Sequence, residues 1–247
     1  MVRSTESKQK TRTGRRPPEL QRAEQLRAQE TRTTILDAAL SEFASKGFEA
    51  ASIRSIADRI GVQHPLITYH YRTKDILWEA VAVHAFDHIR HEWEGYLSDP
   101  PPVTAVEQVK LLYRALFRFT VAFPEFHHFM LREILDYSPR LQWLADTILR
   151  PLIDRMLPQI REAQAAGNLP AVDPVLLHYM MIGMTSTLST FGTEMRATSN
   201  VSASDPDVAD AFWNTVEGLV FGAQHHAERE TRSSSEKQHP RKRTVRS

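Results

Sequence analysis

One stretch, residues 52–74, restricts the fold of this chain, because its pattern predicts two short helices joined by a tight turn. The first helix is predicted over Ser52–Arg59, where the Ser52 hydroxyl can cap the first turn and isoleucines recur at helical spacing. Gly61 follows, and glycine adopts the left-handed turn conformation without steric cost. A second helix is predicted to begin near Gln63, with Pro65 in its first turn, where the missing proline N–H costs nothing.

The second helix has an apolar inner face and a polar, mostly uncharged outer face. The inner face is predicted to hold Val62, Leu66 or Ile67, and Tyr71. The outer face carries His64, Pro65, Thr68, Tyr69 and His70. Two helices, a glycine-containing turn and such an outer face make a helix-turn-helix, whose second helix can enter a DNA major groove.

The rest of the chain is predicted to be helical as well. A helix over 29–46 ends at Gly47 and completes a three-helix core, and a long helix over Lys74–Leu97 links that unit to the remainder. A kink or break is predicted at Pro151 and at Pro158. The further helical segments are predicted near 103–122, 124–136, 140–166, 173–195 and 207–228. The predicted fold class is all-α, a small helix-turn-helix domain followed by a larger helical domain.

The formal charge of +1 conceals basic ends on an acidic body. Residues 1–32 and 229–247 each carry a net charge of +5, which leaves −9 for residues 33–228. This distribution favours a polyanionic partner reached through the ends, and solvated tails are the alternative. The expected regions are a basic, disordered arm over 1–28, a DNA-binding domain over 29–75, a larger domain over 76–228 and a basic, disordered tail over 229–247.

Several function classes are disfavoured by what the sequence lacks. The chain has no cysteine, so it can form neither a disulfide nor a thiolate metal site, and this fits a cytoplasmic location. No run approaches the ~20 apolar residues of a membrane span, and the first residues lack the apolar core of a secretory signal. There is no GxSxG, HExxH or phosphate-binding glycine loop, so we expect no enzymatic activity, no catalytic residue and no cofactor.

Three histidines, His84, His88 and His91, stand at i, i+4 and i+7 on the long helix beside Glu92, a spacing that suits a transition metal. Histidines on an exposed helix face are the commoner explanation, so we expect no metal. The adjacent pairs at 127–128 and 225–226 direct their rings to different sides of a helix and are not metal pairs by themselves.

The order of these elements resembles the tetracycline-repressor (TetR) family of bacterial transcriptional regulators, as do the motifs Ile56-Ala57, Gly61-Val62, Tyr69-His70-Tyr71 and Lys74-Asp75-Ile76-Leu77. The motifs cover about residues 31–80, and beyond them only the number and layout of helices correspond. The resemblance implies that the larger domain binds a ligand and dimerises. It also implies a homodimeric repressor on double-stranded DNA, released from a palindromic operator by a small hydrophobic or aromatic effector.

The resemblance implies roles for particular residues. Arg54 falls where family members can place a base-reading arginine, whose guanidinium suits the O6 and N7 atoms of guanine. Lys74 falls at the start of the linker helix, where its ammonium and nearby N–H groups can hold a phosphate. The other implied DNA contacts are His64, Pro65, Leu66, Thr68, Tyr69 and His70. Two positions depart from the family pattern, since Thr68 replaces the most common Tyr and Tyr71 the usual Phe.

The last two predicted helices favour dimerisation. The 173–195 helix is apolar nearly all round and must be covered on every side, which two helices from each of two chains would do. Burial within one chain is the alternative. Gly218 and Gly222 lie four residues apart and permit close approach of backbones. The predicted interface residues are Met180, Leu188, Phe212, Val216, Gly218, Leu219 and Gly222.

Aromatic residues and methionines are concentrated in the middle helices, a composition that suits an apolar pocket as well as an ordinary core. The resemblance favours the pocket. Its predicted lining is Trp93, Tyr113, Phe117, Thr120, Phe126, His127, Met130, Trp143, Met156, Tyr179, Met184 and Thr187. An architectural DNA-binding protein without ligand sensing is the alternative function, which explains the basic ends but not the large apolar domain.

Overall fold

The computed structural model describes residues 18–98, 104–135 and 137–222. The N-terminal unit contains α1 (Pro18–Ala50), α2 (Ile53–Ile60) and α3 (His64–His70), and α4 (Lys74–Ser98) leads into the second unit. The second unit contains α5 (Ala105–Ala122), α6 (Pro124–Ile134), α7 (Pro139–Leu144), a π-helical stretch (Ala145–Leu149), α8 (Arg150–Ala165), α9 (Pro174–Ser199) and α10 (Pro206–Phe221). The described residues contain no strand, and the all-α prediction is confirmed.

The first helix is longer than predicted at both ends. It begins at Pro18, so residues 18–28 are helical instead of belonging to a disordered arm, because their Glu, Gln, Leu, Ala and Arg residues favour helix. Gly47 interrupts α1 with a φ of 75°, a left-handed conformation that suits glycine, and one further turn reaches Ala50. The rest of the predicted arm, 1–17, and the predicted tail over 229–247 lie outside the described residues.

The helix-turn-helix forms as predicted. The Ser52 hydroxyl accepts a hydrogen bond from the Ser55 N–H at 3.0 Å and caps α2. Gly61 ends α2 in the left-handed conformation, with a φ of 68°. Gln63 then precedes α3, and Pro65 lies in the first turn of α3.

The core of the N-terminal unit extends into the second unit. Ile67 is the inward residue of α3, since it is fully buried while Leu66 is only partly buried. Trp78 of α4 is also buried, and its ring centroid lies 5.3 Å from that of Phe129 in α6. Leu144 of α7 joins the same core. The predicted boundary between residues 75 and 76 therefore marks no gap in packing.

The second unit is a layered helical bundle in which α5 packs against α4, α8, α9 and α10. The predicted helix over 140–166 is divided, because a π-helical stretch comes just before Pro151. Proline lacks the N–H needed for a regular helical bond, and a π-helical spacing is one way to accommodate that loss. By contrast, α8 continues through Pro158. Within the described ranges, no helix is both long and apolar enough to span a membrane.

Candidate DNA-binding surface and ligand cavity

The outer side of α2 and α3 presents the side chains that the sequence analysis assigned to DNA. Arg54, in the first turn of α2, and His64 and Pro65, in the first turn of α3, are exposed. Tyr69 is 82% exposed, and its ring contacts that of His70 edge-on with centroids 5.4 Å apart. An exposed arginine suits a base edge or a phosphate, and an exposed tyrosine hydroxyl can donate to a phosphate oxygen.

Thr68, Leu66 and His70 are less accessible than their neighbours. All three are partly buried, and the Thr68 hydroxyl donates to the carbonyl oxygen of Pro65 at 3.1 Å. A contact from Thr68 to a phosphate would require this intrahelical bond to break. The accessible part of the predicted surface is therefore centred on Arg54, the first turn of α3 and Tyr69.

Lys74 has a different environment from the one expected. Its ammonium donates to the carbonyl oxygens of Phe48 (2.8 Å), Glu49 (3.2 Å) and Ala51 (3.3 Å), which lie at and just after the end of α1. The nitrogen also lies 4.4 Å from the centroid of the Phe48 ring. The phosphate contact predicted for this ammonium would require it to leave these carbonyl oxygens, where it interacts with the partial negative charge of a helix C-terminus.

A buried carboxylate fixes α2 against α1. The side chain of Glu42 is fully buried and accepts from Lys46 Nζ at 2.7 Å and Arg59 Nη2 at 3.2 Å. Burial raises the pKa of Glu42, but hydrogen bonds from Lys46 and Ser55 and the two nearby cations outweigh it, so the pKa lies below its ordinary value. The ionised carboxylate therefore holds the first helix of the helix-turn-helix in place.

Two polar residues on this surface were missed by the sequence analysis. Gln63 is exposed just before α3, and Arg72 is exposed just after it. Both flank the outer face of α3 in the sequence. Both residues lie next to the face of α3 that was assigned to DNA, and Arg72 is positively charged. These two features could have identified them from the sequence.

A cavity of about 220 Å³ lies in the second unit among α4, α5, α6, α8 and α9, with the π-helical stretch at one side. Its wall is overwhelmingly apolar. Six of the twelve residues predicted to line a pocket do line this cavity, namely Thr120, Phe126, His127, Met130, Met156 and Tyr179. Because these residues come from four different helices, only the tertiary structure brings them together.

Tyr113, Phe117 and Trp143, which were predicted to line the pocket, lie elsewhere. The Tyr113 hydroxyl is hydrogen-bonded to His178 Nδ1 at 2.8 Å, so Tyr113 packs behind a lining residue. Phe117 stacks against Trp213 with ring centroids 5.6 Å apart. Trp143 packs with Trp78 at the core of the N-terminal unit. These three aromatic residues are core residues, in keeping with the alternative explanation for their composition.

Met184, Thr187 and Trp93 are the other predicted lining residues that the structure does not place at the cavity. Met184 is partly buried against the core of the second unit. Thr187 donates its hydroxyl to the carbonyl oxygen of Gly183 within α9, at 2.9 Å. Trp93 belongs to the part of α4 whose side chains lie outside the described residues.

The contribution of α4 to the cavity and that of the polar residues of α9 were not predicted from the sequence. Phe86, Ile89 and Arg90 of α4 line the cavity, as do His178 and Ser186 of α9. Phe86 and Ile89 stand three residues apart on one helix face, and this periodicity could have predicted an inward position. His178 stands in a helix predicted to be covered on every side, but nothing in the sequence assigns it to a cavity.

Two buried histidines supply polar atoms to the otherwise apolar wall of the cavity. His127 Nε2 is 2.7 Å from Thr190 Oγ1, and that hydroxyl donates to the Ser186 carbonyl, so the histidine must donate through Nε2. Burial, together with the neighbouring His128, lowers the pKa of His127 to about 4. Burial also lowers the pKa of His178. Both rings are therefore neutral near pH 7, and His127 retains Nδ1 as an acceptor.

The proposed dimer face is only partly accessible. Met180 of α9 is 52% exposed and Leu219 of α10 is 65% exposed, and a Cβ added at Gly218 would meet open space. Leu188 and Val216, by contrast, are buried in the core of their own chain. The expected interface roles of these two residues are corrected, because side chains packed inside one protomer cannot contact another.

Phe212 and Gly222 also have intramolecular roles. The Phe212 ring stacks on Phe117 with centroids 5.6 Å apart. Gly222 ends α10 so tightly that a Cβ there would lie 2.7 Å from the Gly218 carbonyl oxygen. Of the predicted interface residues, Met180, Gly218 and Leu219 are thus the most accessible to a second chain, while Phe212 and Gly222 are partly exposed.

Residues 35–81 match the model of a family described as bacterial regulatory proteins, tetR family. The matched region runs from α1 to the first part of α4 and includes the whole helix-turn-helix. The chain is similar to the HTH-type transcriptional regulator RutR of Escherichia coli K12, with 26% identity over 186 residues, which cover 75% of this chain and 84% of RutR. It is also similar to the HTH-type transcriptional repressor Rv3405c of Mycobacterium tuberculosis, with 37% identity over 93 residues, 36% of this chain and 47% of the repressor.

The fold is similar to that of solved regulators. A TetR family transcription regulator from Marinobacter aquaeolei VT8 superimposes with a TM-score of 0.61 and 18% sequence identity, over 79% of this chain and 98% of that one. The shared fold therefore extends through the second unit, beyond the region that carries the sequence motifs. Its curated relatives are named as transcriptional regulators, which agrees with the prediction that the chain is not an enzyme.

Proposed function

Since the chain belongs to the tetR family of bacterial regulatory proteins, we propose that it is a homodimeric repressor that leaves a palindromic operator when an apolar or aromatic ligand fills its cavity. The observation that carries the DNA-binding part is the accessible outer face of α3, held on a buried three-helix core. The cavity of the second unit supports the sensing part.

The DNA-binding part rests on the chemistry of the exposed side chains. Arg54 is the proposed base-reading residue, and His64 and Pro65 stand at the end of α3 that would enter the major groove. Tyr69 and Arg72 are both exposed and are the proposed contacts to the flanking phosphates. Lys74 caps the end of α1 and so stabilises the unit that carries this surface. It is not itself proposed as a DNA contact.

Dimerisation would use the accessible faces of α9 and α10. Met180, Gly218 and Leu219 offer apolar side chains and an open glycine to a second copy. Leu176, exposed one turn before Met180, extends this apolar face. Two copies would present two recognition helices, which a palindromic operator requires at a spacing of about 34 Å. Exposed apolar residues on the surface of a folded chain commonly mark such an interface.

The character of the cavity favours an uncharged or weakly polar ligand. A charged ligand would lose its hydration in a wall that offers few hydrogen bonds, and the charged lining residue, Arg90, already pairs with Asp87 at 3.0 Å. His127 offers an acceptor nitrogen. His178 is hydrogen-bonded to the buried Tyr113 hydroxyl through Nδ1, which leaves Nε2 as the ring nitrogen that could meet a ligand. A flat apolar molecule with one or two polar groups fits both conditions.

The route from cavity to DNA surface runs through α6 as well as α4. Phe126, His127 and Met130 on α6 line the cavity. On the same helix, Phe129 packs in the N-terminal core and Arg132 donates to the carbonyl oxygen of Ser45 in α1 at 3.0 Å. A ligand that displaces α6 would therefore move α1 and the helix-turn-helix with it. Two units moved in this way would no longer match the operator spacing.

Operator and ligand can be tested together. The first step is selection of bound sites from random duplex DNA, and a repressor should prefer its selected site over random DNA by at least ~10³-fold. Small apolar compounds are then measured against the free chain and against the operator complex. By linkage, a true effector binds the free chain more tightly, by the same factor by which it weakens operator binding.

The alternative, an architectural DNA-binding protein, predicts different outcomes in the same assays. It would bind selected and random duplexes with similar affinity at every salt concentration. A preference for one operator would support the repressor function. If ligands then bind the free chain and the complex equally, the proposed sensing mechanism is wrong.

A further inference from the structure

A second depression, of about 290 Å³, lies between α1, α4 and the junction of α5 with α6. Asp37 of α1 and His84 and His88 of α4 meet there, and their potential ligand atoms all lie within 4.8 Å of one another. Glu125, at the start of α6, lines the same depression. Residues from three helices thus converge on one small volume outside the ligand cavity.

The geometry of the three side chains is close to that of a metal site. His84 Nε2 lies 2.8 Å from Asp37 Oδ1, and the rings of His84 and His88 are 4.6 Å apart between centroids. A tetrahedral Zn²⁺ held at ~2.0–2.1 Å places neighbouring ligand atoms about 3.4 Å apart. Asp37 and His88 are exposed, so small rotations of their side chains bring the three ligand atoms to that spacing.

The chemistry of the donors selects the kind of ion. Two imidazoles and one carboxylate suit Zn²⁺, Co²⁺ and Ni²⁺, whereas Mg²⁺ and Ca²⁺ prefer oxygen ligands alone. In many metal sites, a fourth position is filled by a carboxylate or by water. Glu125 lines the same depression but lies outside the group within 4.8 Å, so it could serve as that carboxylate only after its side chain rotates.

A simple ion pair accounts for only part of this arrangement. It explains the contact of His84 with Asp37 but not the position of His88, which makes no hydrogen bond within the described part of the chain. His91 does not belong to the cluster, because its Nδ1 lies 2.7 Å from the carbonyl oxygen of Asp87. The sequence grouped His91 with His84 and His88, while the structure replaces it with Asp37.

We propose that Asp37, His84 and His88 hold one divalent transition-metal ion of the Zn²⁺ class, with Glu125 or a water molecule in the fourth position. The site joins the two halves of the molecule. Neighbours of Asp37 on α1 pack in the N-terminal core, and Ala85, next to His84, packs in the core of the second unit. A bound ion therefore ties α1 to α4. Any effect of the ion on DNA binding rests on the proposed function.

Metal binding is tested on the full chain after treatment with a chelator and dialysis. Zn²⁺ is titrated by calorimetry, and Co²⁺ by its visible absorption, which reports the coordination geometry. We expect one tight site per chain. His88→Ala should weaken that site by at least about 100-fold, since changes outside the ligand shell alone cost ten- to 100-fold. Asp37→Asn should weaken it by at least about tenfold.

His91→Ala is the matched control, because it removes an exposed histidine from the same helix without touching the cluster. It should bind both ions as the unchanged chain does. Circular dichroism verifies the fold of each variant, and His88 is exposed, so its loss leaves both cores intact. If His88→Ala and Asp37→Asn bind Zn²⁺ as tightly as His91→Ala does, the proposed site is wrong.

A DNA measurement separates this site from the proposed function. Operator affinity is compared with and without Zn²⁺ for the unchanged chain and for His88→Ala, and we expect Zn²⁺ to alter it only in the former. A chain that binds Zn²⁺ through the cluster but binds no DNA would support the site and contradict the repressor function alone.

Discussion

Arg54 is the exposed residue on which base recognition is proposed to depend. Arg54→Ala should cost ~1–3 kcal/mol of binding free energy on the operator and much less on random DNA, because a bidentate contact to guanine is lost. Preference at one base pair per half-site should also relax. Fluorescence anisotropy with matched operator and random duplexes measures both quantities. Equal losses on the two duplexes would assign Arg54 to the phosphates instead.

His127 makes stability depend on pH, since its pKa is about 4 in the folded chain and 6.5 in a free histidine. Between pH 4 and pH 6.5, His127 is therefore protonated in the unfolded chain but not in the folded chain. The free energy of unfolding should fall by about 3 kcal/mol from this group as pH drops from 6.5 to 4. His178, whose pKa is also lowered, acts in the same direction.

His127→Gln tests this assignment, because glutamine keeps a donor for Thr190 but does not titrate in this range. Urea unfolding at a series of pH values should show a shallower decline for the variant than for the unchanged chain. His91→Gln serves as the control, since it removes an exposed histidine of α4, whose ring nitrogen is paired with the Asp87 carbonyl oxygen. The same slope in the unchanged chain and His127→Gln would show that His127 is not the titrating group.

The C-terminal turn of α1 is the element that connects the recognition surface to the rest of the molecule. The Phe48 ring contacts two cations, with the Lys74 ammonium at 4.4 Å and the Arg140 guanidinium at 3.8 Å from its centroid. Arg140 also donates to the buried Glu133 at 3.3 Å. Side chains from α4 and α7 thus hold the end of α1, and the cation–π contacts contribute on the order of 1 kcal/mol each.

Lys74→Met should therefore destabilise the N-terminal unit, by ~1–3 kcal/mol of unfolding free energy, because three carbonyl oxygens lose a charged donor while the packing of the stem is kept. DNA affinity should weaken only as the unit becomes less ordered. Denaturant unfolding and DNA binding are measured side by side. If Lys74→Met keeps full stability but loses DNA affinity equally on all sequences, Lys74 is a phosphate contact.

Arg72→Met is the matched control for that substitution. It removes an exposed cation two residues away, so stability should be unchanged. If Arg72 contacts a phosphate as proposed, affinity should fall on all sequences and the slope of log K against log[salt] should decrease by ~1.

At the scale of the whole molecule, the exposed apolar face of α9 and α10 should decide the oligomeric state. Leu219→Glu, at a side chain that is 65% exposed, should dissociate the dimer, because a charge would be buried between two chains. Leu135→Glu is the matched control, since Leu135 is 73% exposed outside α9 and α10. Sedimentation shows the result directly. A dimer that survives Leu219→Glu would place the interface elsewhere.

The helix-turn-helix was determined by local sequence. Ser52, Gly61 and Pro65 fix the starts and ends of α2 and α3 through capping, a left-handed turn and a missing N–H, and each effect acts within a few residues. The length of α4 and the all-helical class followed from periodicity for the same reason. Local interactions of this kind do not depend on where the rest of the chain lies.

The tertiary structure decided which side chain meets which partner. Lys74 caps α1 because α4 begins beside the end of α1, and Asp37 meets His84 across 47 positions of sequence. Leu188 and Val216 share the apolar character of Leu219, yet they are buried within their own chain. Composition and helical spacing give each residue a face of its helix, but the crossing of helices determines whether that face meets a core, a cavity or solvent.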